Sequence, residues 1–287
     1  MARRLVITAD DFGIDPGTNA TIVDLLSDGL ISATTLMPVA PAAEDAVARI
    51  HRAQLPAPRL HMTLSSEARL PAFRPLASDV PSLVDEDGGF PFDAAVAERR
   101  AAVGDVAREL LAQLDWMHDM GLCPPGLDSH SGTLYGLHGR SLAQTALEFC
   151  ATHQLDFRLP RTLGWALGLA VRGLRTAHRG AVARADALQV RLPEVLVGSW
   201  LPGAMIHSYG QLRAEVLLQL GRLPAGTSEL IVHPAPLSAR SWLEAGDARK
   251  RGWGRRLLPA RTSRYSDRSR STPGCARREM RGLRSWW

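Results

Sequence analysis

Several common chemistries are missing from this 287-residue sequence, and each shortage excludes something. Three cysteines, Cys123, Cys150 and Cys275, are too few and too scattered for a disulfide framework or a paired-cysteine metal site. A reducing cytoplasm is therefore the expected compartment. The longest apolar stretch, residues 164–171, falls far short of the roughly 20 residues that a membrane span needs. The opening MARRLVITADDFG has a basic pair but reaches acidic residues too soon to form a secretory apolar region. There is no G-x-S-x-G elbow for a serine nucleophile and no glycine-rich cradle for phosphate.

Acidic charge is scarce at one end only. Residues 241–287 carry 13 basic side chains against 4 acidic ones, whereas residues 1–240 carry 21 arginines against 25 acidic residues. The net charge of +5 thus belongs to the last stretch, and the body is mildly acidic. A basic tail can bind polyanions, but this one has no heptads and no zinc spacing, which disfavours nucleic acid as a partner. Rich in Arg, Ser and Gly and without a sustained period, it is expected to be poorly ordered. A single-base slip in a GC-rich reading frame would yield such a run, and the body's use of Arg to the exclusion of Lys fits GC-rich coding.

Across residues 1–240, short β-branched runs alternate with amphipathic segments, the pattern of an α/β fold with a largely parallel sheet. Strands are expected at residues 5–9, 32–39, 59–64, up to 130, 156–159, 188–192 and 229–233. Helices are expected at 15–28, 42–52, 93–120, 141–153, in a region reaching about 187, and at 211–220. Residues 65–92 break this rhythm with four prolines and an acidic turn, so they read as a long irregular excursion, of the kind that often forms a lid. Roughly seven strand–helix units suggest a distorted (β/α) barrel, with residues 241–287 outside it.

Polar clusters fall at four expected strand ends: Asp10-Asp11, His61, Asp128-Ser129-His130 and His233. Strand C-terminal ends are where such barrels assemble their sites. Each cluster alone has a structural explanation, as a helix cap or a hydrogen-bonded core histidine. Together, two histidines and a carboxylate could hold a divalent ion with open positions for water and substrate, which suits metal-assisted hydrolysis. Adjacent strand residues face opposite ways, so Asp10 and Asp11 should divide the work. His138 and His207 are weaker candidates for substrate contact; His51, His118, His153 and His178 read as surface residues.

Thr8-Ala9-Asp10-Asp11-Phe12-Gly13, Pro16-Gly17-x-Asn19, Ser32-Ala33-Thr34-Thr35-Leu36-Met37, Leu60-His61-Met62-Thr63-Leu64, Leu127-Asp128-Ser129-His130 and Val232-His233-Pro234-Ala235 run in the order of the motifs of the YdjC/ChbG/HpnK-type carbohydrate deacetylases, which this chain resembles from residue 4 to about 237. The resemblance implies a distorted barrel that removes acetyl from an N-acetylated sugar through a metal-activated water. The ion is usually Mg2+, and Zn2+ is chemically reasonable. Carried over by motif, Asp11, His61 and His130 would bind the metal, Asp10 would be the base and His233 the acid. Many relatives continue the third motif as DSHxHxH, whereas Ser131 and Gly132 stand here, implying a different substrate subsite. The family's final strand–helix closure is replaced by the Arg-rich tail. Alternatives left open are a metal hydrolase of another amide or ester, and an inactive sugar-binding or misframed relative. A homodimer is also left open.

Overall fold

Strand β1, Arg3–Phe12, carries the apolar run Leu5-Val6-Ile7 into the centre of a parallel sheet. The chain then turns into α1, Pro16–Ser27. Asp15 caps it by accepting from the Gly17 and Thr18 N–H groups, Pro16 opens it, and Gly29, at φ 65°, follows its end. Next come β2 (Ala33–Leu36), α2 (Ala43–Ala53), β3 (Arg59–Met62), the excursion, α3 (Ala94–Arg100), α4 (Val103–Asp119), β4 (Gly126–Ser129), α5 (Ala143–His153), β5 (Asp156–Phe157), α6 (Leu174–Leu188), β6 (Leu196–Val197), α7 (Tyr209–Leu220) and β7 (Gly226–Val232). This is a computed structural model, and it describes residues 2–68, 70–163, 173–199 and 205–234. The expected basic tail and the apolar stretch 164–171 lie outside the described residues.

The seven strands lie in the order β5-β4-β3-β2-β1-β7-β6, all parallel, so all their C-terminal ends open on one side. The sheet curls until its edges nearly meet. Carbonyls of Arg191, Pro193 and Glu194, leading into β6, accept from the N–H groups of Phe157, Arg161 and Thr162, and the Glu194 N–H donates to Thr227. The result is the distorted α/β barrel expected from the sequence, with helices around it and Phe12, Leu36, Leu60, Met62, Leu127 and Phe157 in its core.

Two expected elements differ. The single helix over 93–120 is two helices, because Ala101 leaves helical geometry (ψ 114°) and the Ala102 N–H donates to Ser82 Oγ at 2.8 Å. The helical phase restarts there, leaving Val103 exposed while Val106, Leu110, Leu114 and Met117 stay buried. The strand expected at 188–192 is displaced to Leu196–Val197. Helix α6 runs through Leu188, Gln189 turns left-handed at φ 58°, and Pro193 has no N–H to donate to a ladder.

The excursion between β3 and α3 is irregular, as expected, but well anchored. It buries Phe73, Val80, Leu83 and Phe90, and two carboxylates of α4 hold its backbone. Glu109 accepts from the Leu76 and Ala77 N–H groups, and Asp105 accepts from Ser82.

Candidate metal centre

The site begins with a defect in β1. Ala9 pairs with Thr34 and Phe12 with Leu36, so the strand carries an extra residue, and Asp11 sits at φ 66°. A regular strand would send Asp10 and Asp11 to opposite faces; this bulge re-aims Asp11. The neighbouring turn is pinned by Asn19, whose Oδ1 accepts from the Gly13 N–H at 2.7 Å while its amide donates to the Ala42 carbonyl and to Asp45. Gly13 is at φ 103°, and a Cβ there would lie 3.2 Å from the Met37 carbonyl oxygen. The Pro-Gly-x-Asn motif is therefore a fastener for the strand end.

Asp11 faces two buried histidines, from the ends of β3 and β4. Its Oδ1 is 3.5 Å from His61 Nε2 and 3.5 Å from His130 Nδ1. The two rings meet edge to face with centroids 5.4 Å apart. One donor atom from each of Asp11, His61 and His130 lies within 4.8 Å of the other two. Donors held at about 2.1 Å from a divalent ion stand about 3–3.5 Å apart, and the two Asp11 distances already match that spacing, so this trio fits a metal.

The remaining nitrogens support the fit. His61 Nδ1 hydrogen-bonds to Asp128 Oδ1, which leaves Nε2 to face Asp11. His130 Nε2 lies 3.1 Å from Glu67 Oε1. Carboxylates behind ligating histidines fix the tautomer and raise ligand basicity. Burial alone would push the His61 imidazole down, but Asp128, followed by Asp10 and Asp11, raises it to about 10. His130 is likewise raised against its burial, by Asp11 and Glu67.

Asp10 is occupied differently. Arg158, buried at the end of β5, clamps it through two nitrogens at 2.7 and 2.9 Å, and Thr35 Oγ1 donates to it at 3.1 Å. Burial would raise this carboxyl, yet Arg158, with help from His61 and His233, lowers it to about 2. The same guanidinium lies 3.2 Å from Asp128 Oδ2 and 2.9 Å from Glu229 Oε1, and Glu229 accepts from Thr8. His233, one residue beyond β7, brings Nε2 to 3.9 Å from Asp10 Oδ2 with a side chain 40% exposed. The five residues to which the resemblance gives a role, Asp10, Asp11, His61, His130 and His233, thus lie together.

Reading from sequence missed Arg158, Glu229 and Glu67. The signal for the first two was a lone charge inside an apolar strand run, Phe157-Arg158-Leu159 and Glu229-Leu230-Ile231. Glu67 had none, because it stands on an irregular segment. His178, read as a surface residue, is buried, and its Nε2 contacts the Pro160 carbonyl at 2.6 Å. His138 and His207 are exposed; their backbone N–H groups bind Glu98 and Gln211.

The family model described as YdjC-like protein matches residues 4–259. A carbohydrate deacetylase of Geobacillus stearothermophilus is 41% identical over 132 residues, covering 45% of this chain and 50% of that protein. One from Mus musculus is 30% identical over 248 residues, covering 80% and 77%. The chain spans only about half to three-fifths of the length of the bacterial relatives it matches, including the Enterococcus faecalis protein at 58%. In three dimensions it resembles a crystal structure from Enterococcus faecalis described as a cellobiose-phosphate cleavage protein, with a TM-score of 0.66 at 23% identity over 90% of this chain and 91% of that one. That likeness establishes the fold.

Proposed function

This chain belongs to the YdjC-like protein family, and from that membership and its site we propose that it is a metal-dependent carbohydrate deacetylase, hydrolysing the acetamide of an N-acetylated sugar. The observation that carries the proposal is the buried Asp11, His61 and His130 trio at the strand ends. Relatives named carbohydrate deacetylase support the substrate class.

Asp11, His61 and His130 would hold the divalent ion, Mg2+ by resemblance and Zn2+ by the chemistry of two imidazoles and a carboxylate. Such an ion polarises a carbonyl and acidifies water. The chain's own groups manage the protons. In amide hydrolysis the C–N bond breaks, the water oxygen ends on acetate, and the amine departs with an added proton. Asp10 accepts the proton from water, and His233 delivers one to the amine nitrogen. Arg158 keeps Asp10 ionised across the physiological range and makes it a weak proton store. A proton taken there is readily passed on, and His233 Nε2, 3.9 Å away, is the next acceptor. With its side chain 40% exposed, His233 can meet a leaving group that enters from solvent.

Among the described residues no helix is long and apolar enough to cross a membrane. We place the enzyme in the cytoplasm on its cysteine usage.

The test is acetate and free-amine release from N-acetylglucosamine oligomers, with and without added Mg2+ or Zn2+. Metal-dependent release, lost with a chelator, is expected. A metal-loaded chain that cleaves other amides or esters but no acetamido sugar would overturn the substrate assignment.

A further inference from the structure

The two candidate metal-binding histidines are braced crosswise. His61 belongs to β3 and is backed by Asp128 of β4, whereas His130, just after β4, is backed by Glu67, which lies five residues beyond β3. Each strand, with the segment that follows it, thus supplies a ligand and the carboxylate that orients its neighbour's ligand. The two braces differ in setting. Asp128 is fully buried, and its second oxygen is 3.2 Å from Arg158 and 3.5 Å from Arg59. The Glu67 side chain is 23% exposed and sits at the start of the long excursion.

We propose that Glu67 is a positioning residue for the metal centre, turning His130 so that Nδ1 faces Asp11, and that the excursion over residues 65–92 is thereby a structural part of that centre. Three observations converge on it. Glu67 Oε1 is 3.1 Å from His130 Nε2, the nitrogen turned away from Asp11. That nitrogen is buried and has no aligned hydrogen-bond partner among the described residues, and the Glu67 carboxylate 3.1 Å away is the group placed to fix the ring. The backbone around Glu67 is itself held: the Ser66 N–H donates to the Pro91 carbonyl at 2.8 Å, and Ser66 Oγ bridges the Phe90 carbonyl and the Phe73 N–H. Through Phe90, Phe73 and the α4 carboxylates Glu109 and Asp105, the position of Glu67 is tied to the packing of the whole excursion. Carboxylates behind ligating histidines commonly contribute 10- to 100-fold in metal affinity, although they never touch the ion.

This inference rests on the metal-site reading above but not on the substrate. The experiment is a titration of the full chain with Mn2+ alone, following free ion by electron paramagnetic resonance. Glu67→Ala should weaken binding by about 10- to 100-fold, with one ion still bound at saturation and the metal-free melting temperature unchanged. Glu67→Gln, which keeps an amide oxygen in place as an acceptor for His130 Nε2, should recover part of the loss. Glu86→Gln, in the exposed turn of the same excursion, should bind as the unaltered chain does. Unaltered affinity in Glu67→Ala would overturn the proposal, and a raised KM for an acetamido sugar alongside it would make Glu67 a substrate contact instead. An equal loss in the Ala and Gln variants with a lowered melting temperature would also overturn it, in favour of a purely structural role. If the unaltered chain binds no Mn2+, this proposal and the metal reading fall together; if it binds Mn2+ yet deacetylates nothing, only the substrate reading falls.

Discussion

Asp10 and Asp11 are adjacent, chemically identical and both buried, yet they occupy opposite electrostatic regions. Asp10 belongs to the β5–β7 side, where Arg158 gathers Asp10, Asp128 and Glu229 around one guanidinium. Asp11 belongs to the β3–β4 side, where it faces two imidazoles. One left-handed residue in a bulged strand separates a carboxylate neutralised by the protein's own cation from one facing two metal-type donors. Backbone geometry here assigns chemistry that residue type alone could not.

The largest effects are expected at the metal. Asp11→Asn should leave no stoichiometric Mn2+ at concentrations that saturate the unaltered chain, and deacetylation should fall to background; His61→Ala and His130→Ala should each weaken both. Asp10→Asn should keep the ion and lose roughly 10²–10⁴-fold in turnover, as expected for a positioned proton acceptor. Metal content and rate measured on the same samples separate the two, and loss of metal from Asp10→Asn would exchange the roles.

Next in size is the cation. Arg158→Met leaves three carboxylates buried without it and should cost about 3–5 kcal/mol of stability by urea denaturation. Stability equal to that of the unaltered chain would mean that the cluster is already protonated.

Proton competition should sharpen the contrast. Because His61 is held up to about 10, the metal-free site is protonated at neutral pH, and each bound ion must displace a proton. Affinity should therefore rise about tenfold per pH unit for each displaced proton from pH 6 to 8, measurable by calorimetry in buffers of different ionisation enthalpy. Asp10 gives the opposite limb. Its folded value of about 2 lies below the ordinary 3.8, so its contribution is complete above pH 4 and is lost as pH falls through 2. By this linkage Asp10→Asn should remove about 2 kcal/mol at neutral pH and nothing near pH 1–2. The smallest expected effect is Thr35→Val, which deletes one hydrogen bond to Asp10, at about 1 kcal/mol with Mn2+ binding untouched.

Much of this arrangement was legible beforehand because it is local. Asp15 before Pro16, Gly29 after α1, and the apolar runs of β1 and β7 carry their own geometry, and strand ends gather residues in a parallel barrel. What stayed hidden depends on partners distant in the chain. The break between α3 and α4 is made by Ser82, twenty residues away, and no residue at 101–102 signals it. Arg158 reaches Asp10 across 148 positions, and Glu67 meets His130 from within an irregular segment where no period exists to be read.

The most direct test of the division between the two aspartates is an anomalous-scattering map from crystals of the full chain grown with Mn2+. One peak is expected within about 2.5 Å of Asp11 Oδ1, His61 Nε2 and His130 Nδ1, with Asp10 still paired to Arg158. A peak bound by Asp10 and His233, or none at the Asp11 trio in the presence of saturating ion, would contradict it.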